Sequence, residues 1–425
     1  MPKATDSDGV LRAFDPWRQL GPDDDDLWVN LWAAREEIEL GRALQRELRS
    51  NDALLRVLVI GHRGTGKTTE LRRLGALLRR DHIVRELAID DVLEMEDLSL
   101  VDLVLALLKE VLDLASTHDL ALPGQLLDNL KQWGLSVTRT LVHGWGVDFD
   151  ATSPLGLLQA IVGRLNVVRR HRVEVRQVIE PVLSDLLQIT ERLSQTAHEQ
   201  AVKQGKGGIV LVIDGLDRMR YAVLESGLSA YEELLVLNAP QLQRFKVHLV
   251  MAAPVGLSVQ SRADQHWQLQ HVSNVKLRTR EGALIDAHRA ELVRLVSERA
   301  DIDRVFESGR AAVEQAAEWS GGNVRDLLRI IHGAARLDFS PRIADAKLRQ
   351  AAERYGSDLW ARTVEQAERS YLDEVGDGAR DLTADARLQR LLQLGIMLHY
   401  RNARHWCAVH PCVRLVRGAS APGSR

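Results

Sequence analysis

Gly61-His62-Arg63-Gly64-Thr65-Gly66-Lys67-Thr68 lies between a largely apolar run, Leu54–Ile60, and a stretch carrying Leu71, Leu74 and Leu78 at helical spacing. The run reads as a buried parallel strand and Thr68–Arg80 as a helix, so strand, glycine-rich loop and helix follow in that order. The octet matches G-x-x-x-x-G-K-S/T without deviation. Its glycines, Gly61, Gly64 and Gly66, let the backbone curl so that successive N–H groups, through Thr65 to Thr69, face phosphate oxygens. The following helix adds its positive N-terminal end. In that setting Lys67 reaches the β- and γ-phosphates and the Thr68 hydroxyl ligates Mg²⁺, so the expected ligand is a nucleoside triphosphate, read as ATP.

Further along, Ile209-Val210-Leu211-Val212-Ile213 delivers Asp214 at a strand's C-terminal edge, where open α/β sheets bind ligands. Asp214 is expected to hold the Mg²⁺ shell beside Thr68. Gly215 comes next, then Leu216 and Asp217. Two readings of Asp217 stand: a catalytic base or metal-shell carboxylate, or a turn aspartate pairing Arg218 or Arg220.

Outward from these two strands, His82–Ile89, Val247–Ala252 and the weaker Val272–Leu277 read as further strands, and Ser99–Ala115 as a leucine-rich helix. Leu27–Arg49 fits a helix with Trp28 and Trp32 on one face. Residues 1–26 read as a flexible arm ending in the acidic run Asp23–Asp26. Residues 122–205 read as a mostly helical insertion. From Glu281 onward the pattern is helical, at 281–300, 308–319, 323–336, 341–355 and 357–373, with Ser340–Pro341 as a start signal. The expected architecture is a three-layer α/β core with a parallel sheet over 27–280, a helical lid over 281–375, and a small domain over 376–425.

Composition narrows the classes. Among 425 residues, 45% are hydrophobic and 27% charged, with a formal net charge of -3, an ordinary globular balance that argues against a basic nucleic-acid coat protein. No apolar run is long enough to span a bilayer, and Met1–Gly9 lacks a signal-peptide core. Cys407 and Cys412, the only cysteines, have four residues between them and match neither a redox pair nor a zinc knuckle; buried or half-buried thiols in a reducing cytoplasm is the reading taken.

The phosphate loop, Ile209–Asp217 and Ser320-Gly321-Gly322-Asn323-Val324-Arg325-Asp326-Leu327-Leu328 together resemble the additional-strand P-loop ATPases of the AAA+ and STAND group, nearest the Orc-like prokaryotic ATPases. The third motif resembles the lid's second sensor, so the resemblance implies that Arg325 leans over the γ-phosphate; the other reading is a surface arginine pairing Asp326. Gly321-Gly322 ends one helix and Asn323 caps the next.

Two departures from the family imply slow hydrolysis and a switch. Gly215 stands where a water-polarising glutamate is usual, and Ala252-Ala253-Pro254 where a polar first sensor is usual. No arginine finger is evident; Arg244 and Arg262 are candidates with surface charge as the alternative. Residues 376–425 resemble a winged helix. Leu382–Leu394 is a helix ended by Gly395, and Ile396–Tyr400 and His405–Val409 are strands joined by Arg401-Asn402-Ala403-Arg404. Arg401, Arg404, Arg414, Arg417 and Arg425 lie in a stretch without acids, read either as a DNA phosphate footprint or as a protein-docking wing with a basic tail. Trp406, His410 and Pro411 read as packing residues. The family resemblance implies a homo-oligomer or an effector partner, as in bacterial antiphage systems, with an Orc-like DNA-binding ATPase as the alternative.

Overall fold

The computed structural model describes residues 2–50, 53–141, 153–166, 168–259, 262–362, 366–376, 378–383, 385–401 and 404–420. Five strands, β1 (Arg56–Gly61), β2 (Ile83–Ala88), β3 (Ile209–Asp214), β4 (His248–Pro254) and β5 (Gln268–His271), form one parallel sheet in the order β2-β3-β4-β1-β5. β4 is inserted between the loop-bearing β1 and the Asp214-bearing β3, pairing Leu58 with Met251 and Leu211 with Leu249. This is the three-layer α/β arrangement of a P-loop core with an additional central strand.

The alternation along each strand explains why helices cover both faces. Val57, Val59, Val210, Val212 and Val250 face one way, onto Leu71 and Leu74. Leu58, Ile60, Leu211, Ile213 and Met251 face the other, into the larger core.

The helices before the second strand are α1 (Ser7–Ala13), α2 (Trp32–Arg35), α3 (Leu40–Ser50) and α4 (Lys67–Leu78). The expected helix over 27–49 is therefore broken, with Glu36 in the left-handed region at φ 53°. The expected flexible arm is also corrected. Asp6 caps α1 by accepting from the Gly9 N–H at 2.8 Å, and Val10 and Phe14 are fully buried against lid residues. Asp24 and Asp25 are engaged too, by Arg18 and Arg73. An apolar face this short has a weak periodic signal, and the polar flanks masked it.

α5 (Leu100–Thr117), α6 (Gly124–Leu141), α7 (Pro154–Leu165), α8 (Arg169–Ile179) and α9 (Leu183–Lys203) follow. The helices of the 122–205 region share one apolar cluster with the sheet, so they form a layer of the core; 142–152 lie outside the described residues. Short turns α10 (Ala230–Glu232) and α11 (Ala239–Leu242) precede β4. β5 is earlier and shorter than the expected Val272–Leu277 strand. That stretch instead leaves the sheet, with the Val275 N–H donating to Gly322 O and that of Lys276 to Ala34 O.

The lid comprises α12 (Asp286–Ser297), α13 (Ile302–Val305), α14 (Arg310–Trp319), α15 (Val324–Leu337), α16 (Asp345–Ala361) and α17 (Gln366–Val375). Helix α16 begins at Asp345, so the Ser340–Pro341 signal does not open it; Ser340 hydrogen-bonds to Asp338. The C-terminal unit holds α18 (Ala386–Leu394), α19 (Pro411–Ser420) and a small antiparallel sheet of β6 (Arg380–Asp381), β7 (Met397–Arg401) and β8 (His405–Val409) in the order β6-β8-β7. Gly395 ends α18 at φ 75°. Leu359 and Leu372 of the lid enter the core of this unit. Among the described residues no helix is long and apolar enough to cross a membrane.

Candidate functional site

β1 runs straight into the loop, and the loop into α4. Gly64 and Gly66 take φ of 92° and 100°, which side chains rarely adopt. Lys67 is 4% exposed and its three donors are all used: Nζ donates to Gly61 O and His62 O at 2.8 Å each and lies 2.7 Å from Asp217 Oδ2. Thr68 Oγ1 donates to Asp214 Oδ2 at 2.6 Å, which joins the two residues expected to hold a metal. Thr65 Oγ1 donates to His62 O, and the buried Arg35 guanidinium donates to Thr65 O, pinning the loop from the N-terminal side.

The two carboxylates differ electrostatically. Burial raises Asp214, the neighbouring Asp217 charge raises it further, and the Thr68 hydrogen bond only partly offsets both. Burial also raises Asp217, but the Lys67 charge and hydrogen bond, with Arg63 and Arg218 nearby, outweigh it and leave its pKa below the usual value. Asp217 is thus the anion paired with the loop lysine, whereas Arg218 pairs with Asp90. Gly215 is at φ 94°, and a Cβ there would come within 2.4 Å of Asp90 Oδ1, so a glutamate does not fit this backbone.

Two other units close on the loop. From the lid, Asn323 caps α15 by accepting from the Asp326 N–H and donates to Arg63 O at 3.0 Å, and the Arg325 N–H donates to Gly64 O at 3.0 Å. A Cβ on Gly64 would meet Asn323 Oδ1 at 2.5 Å and Arg325 Cβ at 2.6 Å, so glycine is needed for this approach. The Arg325 side chain is half-buried, and burial lowers its pKa. From the C-terminal unit, Gln393 Nε2 donates to Asp217 O and Met219 O at 3.2 Å, and the His399 N–H donates to His62 Nε2 at 2.7 Å. Tyr400 Oη donates to Gly321 O and Asn274 Nδ2 to His399 O, tying the lid, the core and the C-terminal unit together.

These elements surround a cavity of about 670 Å³. Gly64, Gly66, Lys67, Thr68, Thr69 and Asp217 line it, with Leu20, Leu27 and Leu328 as apolar lining and Arg325 and Gln393 from the other two units. Gly61 and Thr65 shape the loop from behind, and Asp214 reaches the cavity through Thr68. A glycine-curled loop at a helix N-terminus and a hydroxyl–carboxylate pair, in a cavity of this size, fit a nucleoside triphosphate with a divalent cation.

The remaining candidates fall elsewhere. The indole N–H groups of Trp28 and Trp32 both point to Glu70, so these rings pack the loop helix and do not line the cavity. Arg244 pairs with Glu191, and Arg262 is exposed away from the cavity. Arg401 pairs with Glu37 at 3.1 Å and Arg417 with Asp373 at 2.7 Å, so a stretch without acids in sequence meets them in space. Arg404 and Arg414 are likewise engaged, while Asn402, Ala403 and Arg425 lie outside the described residues. Cys407 and Cys412 are buried free thiols, and Cys412 Sγ donates to Trp319 O at 3.2 Å. His410 is buried 3.4 Å from Asp326.

Gln393 and Asn274 carry no local motif, and His62 and Arg63 occupy variable positions of the phosphate loop, so nothing in the sequence singles them out; their partners lie far away in the chain.

No protein-family model matches the chain, and no curated protein matches it. Among solved structures it is similar to the Thermotoga maritima RuvB Holliday junction branch migration motor, at 14% identity over 92% of this chain and 95% of that one, with a TM-score of 0.38. A point mutant of that motor gives a TM-score of 0.37 at the same identity, over 93% and 97%. Likeness at this level transfers no property, and the fold class stands on the strand order and loop geometry above.

Proposed function

We propose that the chain binds ATP with Mg²⁺ and acts as a nucleotide-gated switch with slow hydrolysis. The observation that carries this is the convergence of the phosphate loop, Arg325 of the lid and Gln393 of the C-terminal unit on one cavity. The loop N–H groups and Lys67 would take the phosphates, Thr68 and Asp214 would hold the metal, and Arg325 would pair with the terminal phosphate. Mg²⁺ supplies charge neutralisation between phosphate oxygens. Because all three Lys67 donors are engaged, a phosphate oxygen must replace one of their present acceptors, and Asp217 is the exchangeable one. Asp217 and Met219 also accept Gln393, so that exchange bears on the docking of the C-terminal unit, which we read as a winged helix used for protein docking and for self-association or an effector partner.

Slow turnover follows from the local chemistry. Gly215 leaves no carboxylate at its position, and Ala252 and Ala253 offer no group to orient water. Asp217 is the nearest substitute base, but it is tied to Lys67. The Orc-like reading through the C-terminal arginines is weaker, since Arg401 and Arg417 are held in ion pairs. Labelled phosphate release and particle mass, measured together on wild type and Lys67→Ala, test the proposal. Turnover lost in the variant and low in the wild type is expected. Turnover as fast as that of a motor ATPase, or turnover unchanged in Lys67→Ala, overturns it.

A further inference from the structure

A second groove, of about 570 Å³, lies between α15 and α16 and opens beside Pro16 and Trp17. Its floor is made of small residues. Gly333 lies so close to α16 that a Cβ there would touch the Ala351 Cβ at 3.4 Å. Its walls carry Arg329, Arg336, Arg354 and Arg362, with Asp358 the one carboxylate among the lining residues. Arg336, Arg354 and Arg362 are exposed, and no carboxylate pairs with them among the described residues. Three unneutralised guanidiniums around one depression form a local anion-binding field on a chain whose net charge is -3.

The groove also has an aromatic wall. Trp17 is 69% exposed, yet it is not loose. Its backbone N–H donates to Asp15 Oδ1 at 3.0 Å, which fixes the main chain there, and the Arg329 guanidinium sits 4.9 Å over its ring. Arg329 is itself fixed by Asp326 and the Tyr355 hydroxyl. A braced indole with an open face beside unpaired guanidiniums is the combination that holds a base and its flanking phosphates. An acidic peptide would satisfy the guanidiniums but would give the exposed indole nothing to do.

We propose that this groove binds single-stranded nucleic acid, with phosphates on Arg336, Arg354 and Arg362 and a base stacked on Trp17. The site differs from the C-terminal arginine stretch, and its Arg336 and Arg354 wall stands apart from the nucleotide cavity. Arg336 and Arg354 line the groove and not the nucleotide cavity. Trp17, Arg329 and Arg362 line both, which places the strand next to the nucleotide, so the double variant at Arg336 and Arg354 is the one that separates the two sites.

The test is fluorescence anisotropy of a labelled oligothymidylate titrated with the full chain at low salt. Wild type, Arg336→Glu/Arg354→Glu, Trp17→Ala and Lys67→Ala are compared, with fluorescent ATP-analogue binding and circular dichroism recorded for each. Arg336 and Arg354 are exposed, so the double variant keeps its fold and its analogue affinity. The expected result is binding weakened roughly tenfold or more in both groove variants and retained in Lys67→Ala. The slope of log affinity against log salt should fall by about 1.4 in the double variant, for two lost phosphate contacts on a single strand. No oligonucleotide binding by the wild type, equal binding by the double variant, or competition by polyglutamate as effective as by unlabelled oligonucleotide would each overturn the proposal, the last by pointing to an acidic protein segment.

Discussion

Replacing Asp217 by asparagine tests the nucleotide-exchange step most directly. The Lys67–Asp217 pair is 2.7 Å long, and its side chains are 4% and 10% exposed. Its gross attraction is of order 6 kcal/mol at an effective dielectric of about 20. Removing one member of a buried pair typically costs about 3–5 kcal/mol, because the other charge is left uncompensated. Asparagine keeps a carbonyl acceptor, and Lys67 keeps Gly61 O and His62 O, so a loss of about 3 kcal/mol is expected without nucleotide. When ATP is bound, phosphate oxygens supply the counter-charge, and a loss of about 1 kcal/mol remains for the hydrogen bond. The difference, about 2 kcal/mol, means Asp217→Asn should bind a non-hydrolysable ATP analogue roughly thirtyfold more tightly than wild type. Isothermal titration calorimetry with the Mg²⁺ complex reads this directly. Unchanged or weaker affinity would refute the exchange and would assign Asp217 to the metal shell.

Other outcomes follow from the same contacts. Gln393→Ala removes two hydrogen bonds to the Asp217 loop, at about 1 kcal/mol each. Hydrogen exchange should rise in 386–401 and at 215–219, and equal protection would show that this contact does not hold the unit. Arg325→Ala should abolish nucleotide-dependent assembly while leaving the fold intact, and unchanged assembly by light scattering would remove the lid from the gating scheme. Gly64→Ala places a methyl 2.5 Å from Asn323 Oδ1 at φ 92°, so thermal stability should drop by about 1–3 kcal/mol. A wild-type melting curve would mean that the lid does not press on the loop.

Acid should loosen the junction between core and C-terminal unit. Burial, with the Lys67 charge, lowers His62 from 6.5 to about 3, and burial, with Arg401 and His405, lowers His271 likewise. The unfolded chain therefore takes up protons that the folded chain refuses. Their contribution is complete above pH 6.5 and is lost as pH falls toward 3, at about 2 kcal/mol per histidine by pH 5. Urea midpoints measured from pH 7.5 to 5 should fall, and a flat profile would contradict the burial of these rings.

Local chemistry was enough to determine the loop and its strand and helix, the strand that delivers Asp214, the Asn323 cap, the Gly395 helix end and the β7–β8 hairpin. Each depends on glycine, capping or alternation within a few residues, which is where such signals reside. Boundaries failed where tertiary contacts override the local pattern, as at Glu36, at Val272–Leu277 and at the start of α16.

Only the folded chain decided which distant groups meet. His62 accepts from His399, 337 residues away, Lys67 pairs with Asp217, and Arg401 finds Glu37 across 364 positions. N-terminal residues that read as a solvated arm are a packed helix, because α15 supplies an apolar face that the arm's own sequence does not reveal. The residue types at the nucleotide site follow from local backbone requirements. The coupling of that site to lid and C-terminal unit does not, because a hydrogen bond between remote segments leaves no periodicity in either one.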